Sequence, residues 1–417
     1  MNGNLIIKNA AQLVTCSGFR ARRGSAMSDL NIIENGVVII EDGLIKSVGT
    51  TAEILGSETL ADVEVLDATG KAVLPGFVDS HTHLVFGGYR AEEFSWRLRG
   101  DSYMDIMQRG GGILSSVKAT RAASREELMA AGMRRLDSML SFGVTTVEAK
   151  SGYGLDRETE IKQLEVTGEL NRRHAIDVVP TFLGAHAVLP DYRGREDEYI
   201  DMLIEAVLPE VAERQLAEFC DIFCEKAVFS VTQSKRLLRQ AQTLGLKSKI
   251  HADEMVTLGG TELAAELGAI SADHLLHASD DGIKAIAAAG VVATLLPGTA
   301  FSLKEPYARA RFMIENDCAV ALATDFNPGS CFSESIPLVM ALAALYMGLS
   351  PEEAVTAVTL NGAAALDRAD RIGSIDVGKI GDLVLLEYPS YAFIPYHIGV
   401  STVEQVIKRG RIVFNRC

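Results

Sequence analysis

Between Gly76 and Asn327 the chain alternates eight times between two patterns. Apolar, β-branched runs end on polar residues and then give way to helix-like periodicity. The runs are GFVDSHTH, TTVEAKSG, DVVPTFLGAH, DIFCEKAV, SKIHADE, ISADHLL, VVATLLPG and VALATDFN. Helical signals lie between them; SREELMAAGMRRLDSMLSFG carries a Ser124–Glu127 capping box and closes on Gly143. Eight β/α units predict a (β/α)8 barrel of TIM type, an α/β fold in which reactive groups gather at the C-terminal ends of the strands. Both chain ends read differently. GVVIIEDGLIKSVG and VEQVIKRGRIVFNR are strand pairs with tight turns at Asp42-Gly43 and Arg409-Gly410. A small β-sandwich domain built from both termini follows, with boundaries at 1–72, 73–370 for the barrel, and 371–417.

Composition narrows the partners. A net charge of −15 argues against nucleic acid or an anionic membrane. The start MNGNLIIKNAAQLVT lacks a basic segment followed by a long apolar one, and the apolar stretches near 285–300 and 336–349 are too short to span a bilayer. Six scattered cysteines, with Cys220 and Cys224 spaced C-x3-C and no second pair, read as buried reduced thiols. The expectation is a cytoplasmic protein acting on a small molecule. QRGGGI, spanning Gly110 to Gly112, lacks the Lys-Ser/Thr of a phosphate loop and reads as a lid or turn.

Two of eight histidines, His81 and His83, stand one residue apart at the end of the first strand. Alternate strand residues share a face, so two imidazoles there can chelate one divalent ion. His251 ends strand five, His274 strand six and Asp325 strand eight, and a barrel brings these ends to one mouth. Lys226, near the end of strand four, is placed where a carboxylated lysine could bridge two metals. Glu225 and Lys226 point to opposite faces of an extended strand, so a single metal is favoured; Lys150 is no better placed for bridging. His174, His277 and His397 have no partner motif and read as structural or surface residues.

This pattern resembles the amidohydrolase superfamily. DSHTHLVFGGYRAEEF, EAKSGYGL, FLGAHAVLP, KIHADE and TDFNPGS narrow the resemblance, across essentially the whole chain, to its imidazolonepropionase family. The resemblance implies metal-dependent hydrolysis of the cyclic amide of 4-imidazolone-5-propanoate to N-formimidoyl-L-glutamate in histidine degradation. It implies a homodimer with one divalent or trivalent ion, zinc or iron, per subunit, held by His81, His83, His251 and Asp325. Arg90, Tyr153, His186 and Glu254 would contact substrate, and Asn327, Gly329 and Ser330 the opened product; Ser330 replaces a Thr frequent in that family. Catalytic roles fall to Asp325 as proton shuttle, His274 orienting the nucleophile, Glu254 accepting a ring N–H, and His186 orienting or polarising the ring carbonyl. Tyr103 is a further pocket candidate. Two other readings compete: a hydrolase or deaminase acting on a different cyclic amide or aminated base, and a non-catalytic assembly protein on the same fold. The second would be expected to lack metal ligands, and none is missing.

Overall fold

A computed structural model describes residues 3–55, 63–101, 109 and 111–416. Tyr103, Gly110 and Cys417 lie outside the described residues. Its strands in chain order are β1 (Leu5–Val14), β2 (Ile32–Glu41), β3 (Leu44–Thr50), β4 (Glu64–Asp67), β5 (Ala72–Pro75), β6 (Phe77–Asp79), β7 (Val144–Lys150), β8 (Asp177–Ala185), β9 (Phe219–Cys224), β10 (Lys247–Ala252), β11 (Ser271–His274), β12 (Val292–Leu295), β13 (Ala319–Leu322), β14 (Leu383–Leu386), β15 (Val403–Lys408) and β16 (Arg411–Asn415).

β6 to β13 form one sheet in sequential order, each pair parallel. The seam closes beyond the strand ends. His83 N donates to the Phe326 carbonyl at 2.9 Å, Asp325 N donates to the His81 carbonyl at 3.0 Å, and Thr82 bridges Phe326 in parallel register. The Asp79 carboxylate accepts from Thr324 N at 3.0 Å and Thr324 Oγ1 at 2.6 Å just below. Closure therefore seats the first and eighth strand ends, with their metal-binding residue types, against each other. The expected helix 125–141 is present with its capping box on Ser124.

The termini make a second sheet of eight strands, in the order β16-β15-β14-β5-β1-β2-β3 with β4 beside β1. Its two tight turns carry positive φ at both central residues, Asp42 and Gly43, and Arg409 and Gly410, which matches the right-handed twist of the flanking strands. Leu5, Ile7, Leu13, Val38, Ile40, Leu383, Leu385 and Ile407 share one buried cluster, so neither end encloses a core alone. Lys408 pairs with Asp382 of its own domain at 2.6 Å and ties this sheet to the barrel through Asp177 of β8 at 2.8 Å. Each buried aliphatic contributes about 1.5–3 kcal/mol. Deleting residues 1–60 should therefore lower hydrogen-exchange protection in β14 and β15 by orders of magnitude; unchanged protection would disprove the shared core.

All five described cysteines are buried and unpaired, and no described helix is long and apolar enough to cross a membrane.

Candidate active site

The strand ends deliver five ligand-type residues to one buried point. Ligand atoms of His81, His83 and His251 lie within 4.8 Å of one another, as do those of His81, His274 and Asp325. Asp325 Oδ1 stands 3.6 Å from His81 Nε2 and 3.5 Å from His83 Nε2. His274 and Asp325 both hold positive φ, +75° and +52°, a strained backbone that non-glycine residues keep where surroundings enforce it. His81 Nε2, His251 Nε2, His274 Nδ1 and Asp325 Oδ1 are buried without a hydrogen-bond partner. Buried polar atoms are ordinarily satisfied, so a set of orphaned lone pairs converging on one point fits a cation.

Two carboxylates set the imidazoles. Asp273 Oδ2 lies 2.6 Å from His81 Nδ1, and Asp221 Oδ2 lies 2.9 Å from His251 Nδ1. At His81 the acceptor at Nδ1 places the proton there and leaves Nε2 bare for a metal; at His251 the Asp221 carboxylate stands beside Nδ1 as a close ion-pair contact and turns Nε2 the same way. The other oxygen of Asp325, Oδ2, accepts from Thr299 at 2.5 Å, which leaves Oδ1 aimed at the histidines. Asp221, Asp273 and Thr299 were not singled out in the sequence. For the two aspartates the available signal was a charged residue at an inward strand position, which a single sequence does not distinguish from a surface one; Thr299, a neutral residue in the helix Pro297–Leu303, offered none.

Around this point the remaining candidates separate by role. The Arg90 guanidinium lies over Gly329, where an added Cβ would fall 0.9 Å from its Nη2. Its Nε is buried without a hydrogen-bond partner. The chain leading to Arg90 is braced by the buried Arg135, which donates to the Leu84 and Phe86 carbonyls and covers the Phe86 ring at 3.5 Å. Tyr153 is buried with its ring 5.7 Å from His83 and 5.4 Å from His186. Its loop is held by the Glu160 carboxylate, which accepts from Gly152, Gly154 and Leu155 backbone N–H groups.

His186 stacks on His83 at 4.7 Å and sits 3.0 Å through Nδ1 from the Gly152 carbonyl. A carbonyl can only accept, so Nδ1 bears the proton, and Nε2 of the neutral ring is an acceptor. Burial and the neighbouring His251 charge push its pKa down to about 3, which keeps that ring neutral. Glu254 lies 3.6 Å from His274 Nε2, and burial with the Asp325 carboxylate pushes it up to about 8.

Asn327 is engaged through its side chain within its own loop. Its Nδ2 donates to the Asp325 carbonyl and Ser330 Oγ, and its Oδ1 accepts from the Gly329 and Ser330 N–H groups. Two donors and two lone pairs are thus all engaged within its own loop, so its side chain shapes the loop that carries Gly329 and Ser330. Glu225 is buried while Lys226 is exposed, so Lys226 faces away from the pocket. His174 bonds Asp137 at 3.2 Å and the Ile176 N–H, a structural pairing, and His397 is exposed.

Comparison with known proteins agrees with this geometry. The family model described as the amidohydrolase family matches residues 72–413. Curated relatives include an imidazolonepropionase of Clostridium tetani, 63% identical over 99% of both chains, and one of Parabacteroides distasonis, 61% identical over 99% of both. Similar solved structures include a zinc-bound adenosine deaminase from Xanthomonas campestris (TM-score 0.72, 19% identity, 98% of this chain and 92% of that one). An E. coli guanine deaminase is also similar (TM-score 0.72, 16% identity, all of both chains). At such identities the structural likeness bears on the fold alone.

Proposed function

The chain belongs to the amidohydrolase family and lies close to its imidazolonepropionases, and on that premise we propose that it hydrolyses the cyclic amide of 4-imidazolone-5-propanoate to N-formimidoyl-L-glutamate in histidine degradation. One observation carries the reading: orphaned histidine and aspartate lone pairs share a mouth with a guanidinium seated over Gly329. His81, His83, His251 and Asp325 would hold one zinc or iron ion, for which nitrogen and oxygen donors are suited. When bound, such an ion would supply Lewis acidity and a water acidic enough to act as nucleophile near neutral pH.

The chain's own residues do the rest. Arg90 pairs with the propionate carboxylate, and the Tyr153 hydroxyl adds a donor. His186 Nε2 and the Glu254 carboxyl accept ring N–H groups, so His186 orients the ring as an acceptor and does not polarise its carbonyl. His274 orients the attacking water. Asp325 takes the water's proton at Oδ1 and returns it to the leaving ring nitrogen as the C–N bond opens. Gly329 leaves room for Arg90, and Asn327 and Ser330 hold that loop in shape. Gly329→Ala should displace the guanidinium and raise KM for the carboxylate-bearing substrate about tenfold, about 1.4 kcal/mol, with metal content unchanged. An unchanged KM would remove Gly329 from the carboxylate site.

The reading includes the division into a composite β domain at 1–72 and 371–417 around a barrel at 73–370. It includes a cytoplasmic homodimer with neither nucleic acid nor membrane as partner. Exposed Leu345, Tyr346, Tyr396 and Ile398, on segments that pack together, support a second copy as the cover. The deciding experiment is turnover. Purified protein should consume 4-imidazolone-5-propanoate and release N-formimidoyl-L-glutamate, seen by mass spectrometry, with little action on a dihydropyrimidine or an aminated purine. Turnover of either of those, with none of the imidazolone, would overturn the assignment.

A further inference from the structure

Below the histidines the barrel interior is charged where such barrels are usually filled by branched apolar side chains. Glu148, Lys150, Asp221, Lys249 and Asp273 all have fully buried side chains. They come from β7, β9, β10 and β11, and strand alternation turns Glu148 and Lys150, and likewise Lys249 and His251, inward together. Lys150 Nζ lies 2.7 Å from Asp221 Oδ2, 3.0 Å from Glu148 Oε1 and 3.6 Å from Asp273 Oδ2. The aspartate oxygens facing it are the same two that meet the imidazoles: Asp221 Oδ2 at His251 Nδ1 and Asp273 Oδ2 at His81 Nδ1. Each aspartate is pinned through its other oxygen. Asp221 Oδ1 accepts from Ile222 N at 2.7 Å, and Asp273 Oδ1 accepts from Ser271 Oγ at 2.6 Å.

We infer that Lys150 is a positioning residue of the metal centre: its ammonium ties Asp221 and Asp273 together beneath the two rings, so both present Nε2 to one point. The inference rests on the proposed ligand set. A buried ion cluster kept only for stability would be exchangeable for apolar side chains of similar volume, since the cost of desolvating its charges offsets their attraction. A cluster that sets two tautomers is not exchangeable in that way, because the rings lose the acceptors that hold the proton on Nδ1.

The test uses full-length protein loaded with Co2+ and challenged with a chelator, in the wild type, Lys150→Met and Lys150→Met/Asp221→Asn. The double variant removes one charge of each sign, so it carries the test if the single variant does not fold. Both should bind Co2+ about 10–100-fold more weakly and show an altered visible cobalt spectrum, with circular dichroism retained. Imidazole 15N spectra of the metal-free wild type should show His81 and His251 protonated at Nδ1. Protonation of both at Nε2 would overturn the inference without any variant. Wild-type Co2+ affinity in His81→Ala would overturn the ligand set and this inference with it. Lost affinity in His81→Ala beside wild-type affinity in the lysine variants would overturn the inference alone.

Discussion

His81→Ala is expected to fold, to hold no metal, and to lose at least about three orders of magnitude in kcat/KM. That loss corresponds to about 4 kcal/mol of transition-state stabilisation, within the several kcal/mol a Lewis-acidic ion supplies. His81 stands at the junction of both potential ligand groups, one with His83 and His251 and the other with His274 and Asp325. It also takes the Asp273 carboxylate at Nδ1, which fixes its ring with Nε2 toward the other ligand-type atoms. Fold retention is expected because the backbone around His81 is fixed independently. Its carbonyl accepts from Asp325 N, and Thr82 Oγ1 donates to the Glu148 carbonyl at 2.6 Å. Elemental analysis with circular dichroism reads both halves of the prediction. Full metal occupancy in the variant would remove His81 from the ligand set.

Arg90→Met should reduce kcat/KM on the carboxylate-bearing substrate by about two or more orders of magnitude and leave metal content unchanged. Truncating one member of a shielded guanidinium–carboxylate pair costs roughly 2–5 kcal/mol, much of it from the partner left unmatched. Two orders of magnitude correspond to about 2.7 kcal/mol, inside that range. The side chain is only 13% exposed, so a carboxylate reaching it leaves most of its water behind. Arg90 lies beyond the ligand pair, at the N-terminal end of helix Ala91–Leu98, and its ion pair is with Glu93 at 3.8 Å and not with His81, His83, His251 or Asp325. A ring analogue without the propionate should therefore lose little. Equal losses on the two substrates would show that Arg90 serves the reacting centre or the fold.

Much of this protein is legible in its amino-acid sequence. Eight apolar, β-branched runs with a helical period between them prescribe parallel strands with covering helices, because each element must bury its apolar face. Asp42-Gly43 prescribes a tight hairpin because Asp-Gly is among the few pairs that readily take positive φ twice in succession, and Gly410 between two β-rich runs marks the second turn. His81, His83, His251 and Asp325 were readable for the same local reason: position at a strand end determines where a barrel delivers a side chain. The tertiary structure alone decided what those groups touch. Asp221 and Asp273 looked like isolated acids within strands, and Lys150 like a strand terminus. Their meeting depends on barrel closure, which brings Lys150 and Asp221 to 2.7 Å across 71 residues of chain and Asp273 and His81 to 2.6 Å across 192. Asn327 had a substrate contact's residue type and a loop-former's bonding, and His186 had two possible tautomers until the Gly152 carbonyl chose one. Local periodicity is encoded by neighbours along the chain, and so a sequence displays it. Which proton sits on which nitrogen is determined by groups distant in sequence and adjacent only in space.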